Sequence, residues 1–405
     1  MLKRSRRQVL LGVGSGLAAL SASKSVPAQA ISRIIPQHYG ACGDGTGDDT
    51  HSLRKFFNAV SAMGRSTGSK GLGLIPSGIY NVSDLVLVGS DSDIICNGTI
   101  RFFGASAIGG VVLIRSKNNI SWSGGTIDSN RQGNDNCFGI SGLQSFGGHS
   151  SDITVSNLTL VGARSSGTGR NDIGRKGGKG FTLQYGPQNV SISNIIIRDC
   201  DIGFSIEGKI ADGGSTTGIH VKNVTCQHCH LVGLYILASP SSKRISLDAH
   251  LSDIVFQDCA TSDPKNFGVI HGRTAAGVIA TGITIRNKTN GVTPLRGTFR
   301  DSRFDIILEC ANPRSLIDLN PGVAALDLAI LPRDISSRNL AISMLLSASS
   351  ENTQHSAILL PSGNRPQRST FKIRGISPLG AINRQLKSGN LSDYPMPQGN
   401  RITLE

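Results

Sequence analysis

The sequence carries little charge and has no apolar run fit to cross a bilayer. Charged residues make up only 17% of the chain, against 50 glycines. That balance suits a turn-rich β-solenoid and predicts little helix. The apolar stretch Val9 to Leu20 is shorter than the roughly 20 residues a spanning helix needs, so no stable membrane span is expected. A disulfide framework is missing as well, because the eight cysteines are not spaced as one. CQHCH, Cys226 to His230, has the look of a metal motif. On a strand, however, Cys226, His228 and His230 would face one way and Cys229 the other, which gives zinc no tetrahedral set. The apolar segments are not separated by linkers, so one elongated domain is expected rather than two globular ones.

What is present is a repeat. NVSISNIIIRDCDIGFSI (Asn189 to Ile206) is followed by GIHVKNVTCQHCHLVGLYI (Gly218 to Ile236), and both alternate apolar and polar residues through Asn, Cys and Gly. Looser copies run from Asn119 to Asp128, from Asp152 to Gly167 and from Leu251 to Ile270. Alternation rich in Val, Ile and Thr, broken every few residues by Gly, Asn or Ser, predicts short strands. One such unit cannot bury its own apolar face, so copies must stack, and the reading is an all-β parallel β-helix. Asn157, Asn194 and Asn223, with Asp253 one coil later, would superimpose as a side-chain ladder in a turn. Cys200, Cys229 and Cys259 would stack inside in the same way.

The first 30 residues read as an export signal outside the fold. A basic cluster with the pair Arg6-Arg7 precedes Val9, Leu10 and Leu11, and a small-residue site closes the segment at Ala28-Gln29-Ala30. This is a twin-arginine (Tat) pattern, and it predicts a periplasmic or extracellular protein. Removing its five basic residues, Lys3, Arg4, Arg6, Arg7 and Lys24, takes the formal charge from +14 to +9. A basic exported protein is suited to an acidic polysaccharide rather than nucleic acid.

Next comes HYGACGDGTGDDTHSLRKFFNAVSAMG, His38 to Gly64. Asp48 and Asp49 stand where a helix N-cap is wanted, and Leu53, Phe56, Phe57, Val60 and Met63 fall on one face of a helix ending near Gly64. Such a helix would cover the open end of the solenoid. This opening, with GLIPSGIYNV (Gly73 to Val82), resembles that of the pectate lyase superfamily and the polygalacturonase-like proteins. The resemblance implies a right-handed parallel β-helix with an N-terminal capping helix, acting on polysaccharide. Residues 31–290 then form the β-helix, and 291–405 either irregular final coils or a β-rich tail of the same domain. Within that tail, strand-like runs fall at Phe304 to Leu308, Leu326 to Leu331, Leu340 to Leu346 and Phe371 to Ile373. Asp44, Asp48 and Asp49 allow a calcium loop, although capping is the reading the pattern favours; no other cofactor or metal is implied.

Polygalacturonase-like enzymes carry Asn-Thr-Asp, Asp-Asp, Gly-His-Gly and Arg-Ile-Lys on successive coils, as inverting hydrolysis requires. Laid on that pattern, Lys179 replaces the first Asp, Asp201 and Ile202 fall on the second motif, and His230 lies just before the third. The fourth has no counterpart near Phe267 to Ile270. A lyase needs less, a cation for the uronate carboxylate and a base for the C5 proton. Lys179, Asp201, Glu207 and His230 are the catalytic candidates. Arg170, Arg175 and Lys176, in an enlarged turn, and Arg198 and Lys222 are the substrate-binding candidates. The enlarged turn reads equally as binding surface or as a solvated loop. Asp128 and Asp135 form a second acidic pair, with a turn role as the alternative. Two functions stand: a polysaccharide lyase or related glycan-cleaving enzyme, and a non-catalytic polysaccharide-binding β-helix.

Overall fold

The structure, a computed structural model, describes residues 33–104, 110–131, 136–142, 148–164, 178–208, 216–238, 247–262, 267–289, 291–310, 316–318, 338–346, 358–359, 369–375 and 401–404. Strand β1 (Asp44–Asp48) leads into the one α-helix among these residues, α1 (Thr50–Thr67). The first coils follow as β2 (Gly71–Ile75), β3 (Ile79–Val82), β4 (Val86–Val88), β5 (Ser92–Cys96), β6 (Thr99–Phe102) and β7 (Val112–Arg115). Then come β8 (Asn118–Ser123), β9 (Thr126–Asp128), β10 (Asn136–Ser141), β11 (Ser151–Val161), β12 (Lys179–Gln184), β13 (Gln188–Arg198) and β14 (Ile202–Gly208). The later coils hold β15 (Thr216–Gln227), β16 (Val232–Ala238), β17 (Leu247–Gln257), β18 (Gly268–Ala276), β19 (Val278–Asn287) and β20 (Thr293–Cys310). Last are β21 (Ile317–Asp318), β22 (Arg338–Leu346), β23 (Ile358–Leu359), β24 (Thr370–Gly375) and β25 (Arg401–Leu404).

Every pairing between these strands is parallel and joins one coil to the next, giving three ladders. The first runs β2, β5, β8, β11, β13, β15, β17, β19, the second half of β20, β22, β24 and β25. The second runs β1, β3, β6, β9 and then the far ends, beyond the corner, of β11, β13, β15, β17, β19 and β20. The third runs β4, β7, β10, β12, β14, β16, β18, the first half of β20, β21 and β23. This is the parallel β-helix expected from the repeat, with the right hand that the resemblance implied. Of the runs expected after residue 290, Phe304 to Leu308, Leu340 to Leu346 and Phe371 to Ile373 lie in β20, β22 and β24, whereas Leu326 to Leu331 lies outside the described residues.

The strands turn corners where the stacked asparagines stand. In β11, Ser151 to Ser156 pair with β8, and Thr159 to Val161, beyond Asn157, pair with β9. Asn157, Asn194, Asn223 and Asp253 all adopt φ between 52° and 56°, a left-handed conformation that costs most L-residues about 1–2 kcal/mol and that Asn and Asp tolerate best. Their amides also link the coils: Asn223 Nδ2 donates to Asn194 Oδ1 at 2.8 Å, and Asn194 Nδ2 to Asn157 Oδ1 at 3.0 Å.

Inside, apolar side chains form one continuous core along the axis. An aromatic file crosses the coils from Phe57 through Trp122, Phe138, Phe181 and Phe204, with ring centroids 5.2 to 6.0 Å apart. Cys200, Cys229 and Cys259 are fully buried beside it, as expected, and all eight cysteines are free thiols. Cys226 corrects the strand reading of CQHCH. It is buried like Cys229, because β15 ends at Gln227 and His228 turns with φ 52°, which resets the alternation and sends both sulfurs inward.

Helix α1 covers the first coil, with Leu53, Phe56, Phe57 and Val60 fully buried and Met63 packed against the core. It runs past Gly64 to Gly68, which caps it at φ 67°. Gly64 is instead a contact point, where a Cβ would strike the Asp91 carbonyl; a Cβ on Gly71 would strike the Val60 carbonyl. Small residues therefore let helix and first ladder approach closely. The acidic group before the helix is engaged by N–H donors. Asp48 Oδ1 accepts from Thr50 N at 2.9 Å, Asp49 accepts from Cys42 N and Gly43 N, and Asp44 Oδ1 from Thr46 N. The helix cap is thus carried by Asp48 one residue early, while the Asp49 side chain ties down the preceding loop.

Candidate functional site

The third ladder departs from the pattern of a half-solvated sheet. Strands β10, β12 and β14 are buried at nearly every residue, although alternation sends only every second side chain into the core. Phe204 and Ile206 belong to that core, so Ser205 and Glu207 point to the opposite, outer face. Register then fixes two rows on this face. One runs Thr182, Ser205, Tyr235, His271, Arg296, and the other Gln184, Glu207, Leu237, Arg273.

Lys179 and Glu207, both expected at the site, meet here. Lys179 Nζ lies 2.9 Å from Glu207 Oε1. Ser205 Oγ donates to that oxygen at 2.8 Å, and Gln184 Nε2 donates to Oε2 at 3.3 Å. Glu207 is fully buried and Lys179 only 4% exposed. Charges this far from water persist only when paired and hydrogen-bonded. The two groups bridge neighbouring coils and neutralise each other.

Further along the same face lies a set that the sequence reading missed. His271 stands opposite Arg296 on the next strand and opposite Tyr235 on the preceding one. Its ring stacks on Tyr235 with centroids 6.0 Å apart and meets Phe267 edge-on at 5.6 Å. Tyr235 and Phe267 form, with Ile202 and Val232, an apolar cluster of their own on this face. His271 and Arg296 are each 8% exposed. His271 Nδ1 is buried with no hydrogen-bond partner among the described residues. Burial, reinforced by Arg296 and Arg273, lowers the His271 pKa from 6.5 to about 3, so the ring is neutral. Register was the available signal, since Tyr235 follows Gly233 as Ser205 follows Gly203; His271 and Arg296 required carrying the repeat two coils further.

Asp201 and His230 sit apart from that face, in the turn leading into the third ladder. His230 N donates to Cys200 O at 2.9 Å, and Leu231 N to Asp201 O at 2.8 Å, which brings the two residues together on adjacent coils. Asp201 Oδ2 accepts from Gly178 N at 3.2 Å. His230 Nδ1 is 3.2 Å from Ser262 Oγ, and its Nε2 is buried without a partner among the described residues. Burial and the Arg164 charge lower its pKa, against opposing Asp201 and Asp199. Arg164 and Arg131 each lie 3.9 Å from the Asp199 carboxylate.

The remaining candidates are scattered. Arg198 is exposed at the end of β13. Lys222 belongs to the outer face of the first ladder, lining a groove of about 410 Å³ with Ser191, Ser193, His220, His250 and Thr281. Neither is on the third ladder. Arg170, Arg175, Lys176 and Asp135 lie outside the described residues. Asp128 has the turn role, its Oδ1 accepting from Asn130 N at 2.7 Å. No cluster of three or more His, Cys, Asp or Glu suited to a metal occurs among the described residues, and none of their helices is long and apolar enough to cross a membrane.

Neither a protein-family model nor a curated protein matches the sequence. Solved structures do match. A Geobacillus virus E2 protein, ORF18, superposes with a TM-score of 0.56 at 12% identity, covering 85% of this chain and 62% of its own. The chain thus spans about three fifths of that protein's length. The A-module of the mannuronan C-5 epimerase AlgE4 of Azotobacter vinelandii matches with a TM-score of 0.46 at 14% identity, covering 92% of this chain and 98% of its own. The endo-xylogalacturonan hydrolase of Aspergillus tubingensis matches with a TM-score of 0.45 at 12% identity, covering 84% and 95%. At such identities the likeness concerns the chain trace alone, the right-handed parallel β-helix described above.

Proposed function

We propose that this chain is an exported, carbohydrate-active β-helix that cleaves an acidic, uronate-containing polysaccharide by β-elimination on the outer face of the third ladder. The observation that carries this reading is the gathering there of two cations, one carboxylate and a neutral histidine, all shielded from water. In such surroundings a fixed cation acts on a substrate charge far more strongly than in solvent. Elimination requires one cation and one base, whereas inverting hydrolysis requires two carboxyl groups flanking a water. Among the described residues of this face Glu207 is the carboxylate, and it is already bound to Lys179. Several of the superposed proteins are named for polysaccharide chemistry, which agrees with the reading. The Tat-like segment before Ala30 and the basic balance support export and an acidic ligand.

The mutual neutralisation of Lys179 and Glu207 favours the second reading, a β-helix that binds the polysaccharide without cleaving it. The two are separated by incubating the protein with uronic-acid polysaccharides, with and without calcium, while following ultraviolet absorbance and reducing ends together. Elimination raises both. Reducing ends without absorbance would mean hydrolysis, and retained binding with neither signal would establish the binding protein.

A further inference from the structure

Resting on the lyase reading, we propose that His271 takes the C5 proton and Arg296 neutralises the uronate carboxylate. The substrate is then a uronate whose C5 hydrogen and C4 oxygen lie on the same ring face, as in glucuronate and mannuronate. The geometry supplies the pair directly, because the two residues stand opposite each other on β18 and β20. Tyr235 and Phe267 hold the imidazole plane from two sides. The Nδ1 atom of His271 is buried with no partner among the described residues. An unsatisfied buried polar atom is costly, and the proton taken from C5 would satisfy it. The planar guanidinium of an arginine matches a carboxylate in two parallel bonds and cannot lose its charge.

The step balances without a further reactant. The Nδ1 lone pair takes the C5 hydrogen, the C5–H electrons become the C4–C5 double bond, and the C4–O4 bond breaks with its pair on O4. The imidazolium returns the same proton to O4 and is neutral again. Burial, Arg296 and Arg273 all disfavour the charged ring, which weakens the imidazole as a base and makes the imidazolium a strong acid that passes its proton on. Lys179 and Glu207, on earlier coils of this face, remain paired throughout. Because one ring serves both atoms, they must share a face of the sugar. Galacturonate and guluronate hold them on opposite faces.

The test measures initial rates of absorbance rise on glucuronan, mannuronan, polygalacturonate and polyguluronate for the wild type, His271→Gln and Arg296→Lys, with thermal unfolding and polymer affinity recorded for each protein. The expected result is product from the first two polymers only. His271→Gln should lose about 10²- to 10⁴-fold in rate while still folding and binding, and Arg296→Lys should lose less. A His271→Gln rate within about threefold of wild type overturns the assignment and leaves the lyase reading standing. Polygalacturonate cleaved as fast as glucuronan overturns the shared-face argument. Absorbance from no polymer overturns both this inference and the lyase reading.

Discussion

The first and third ladders are built from the same coils, yet their outer faces are opposites. On the first ladder, β13 and β15 alternate buried and open residues, and their outward rows carry Ser191, His220, His250 and Ser193, Lys222, Ser252 in contact with solvent. On the third ladder the corresponding rows carry Ser205, Glu207, Tyr235 and His271, all buried. Solenoid stability requires only an apolar inside, and the first ladder meets that requirement. Burying charge on an outer face adds a cost that the fold does not need, and it is on the third ladder that the proposed chemistry is placed.

The difference can be broken most forcefully at Glu207. Glu207→Ala removes the carboxylate 2.9 Å from the buried Lys179 Nζ and should destabilise the protein by about 3–5 kcal/mol. Adding Lys179→Met should recover most of that loss, read as the shift in urea midpoint. A smaller but diagnostic effect concerns pH. His271 stays neutral in the folded chain down to about pH 3, against 6.5 for an unperturbed ring. Between those values the unfolded chain binds the extra proton, so the contribution is complete above about 6.5 and is lost as pH falls toward 3. Denaturation followed from pH 7 to 4 should show this fall, and His271→Gln should flatten it.

Breaking the corner ladder tests the coils that both faces share. Asn194→Ala removes two side-chain hydrogen bonds and puts at φ 56° a residue that tolerates the left-handed conformation less well than asparagine, for an expected loss of about 1–3 kcal/mol in thermal or urea unfolding. On the exposed face, Lys222 lies 4.0 Å from Asp253 with both side chains mostly in water. Lys222→Ala should change stability by no more than about 0.5 kcal/mol, and a larger loss would show that the first ladder is not the simple solvated face described.

These particulars also mark how far the sequence could be read. The Asn corners, the stacked cysteines and the capping helix were legible because each is a local pattern repeated at coil spacing. The end of α1 was not, since Gly64 is set by a close approach to Asp91 rather than by helix propensity. The Lys179–Glu207 pair joins different positions of different coils, and strand alternation gives Lys179 the parity of the core residues Phe181 and Leu183, so register did not reveal that the two touch. His271 and Arg296 escaped because they follow Phe267, where the repeat loosens in sequence while the strands keep their register.

The most direct test of the contrast between the two faces is the initial rate of unsaturated-product formation on glucuronan by Arg296→Ala and Lys222→Ala, measured side by side with the wild type. Loss of the rate in Arg296→Ala, with Lys222→Ala close to wild type, is the predicted result. The reverse order would move the chemistry to the exposed first ladder and contradict the account.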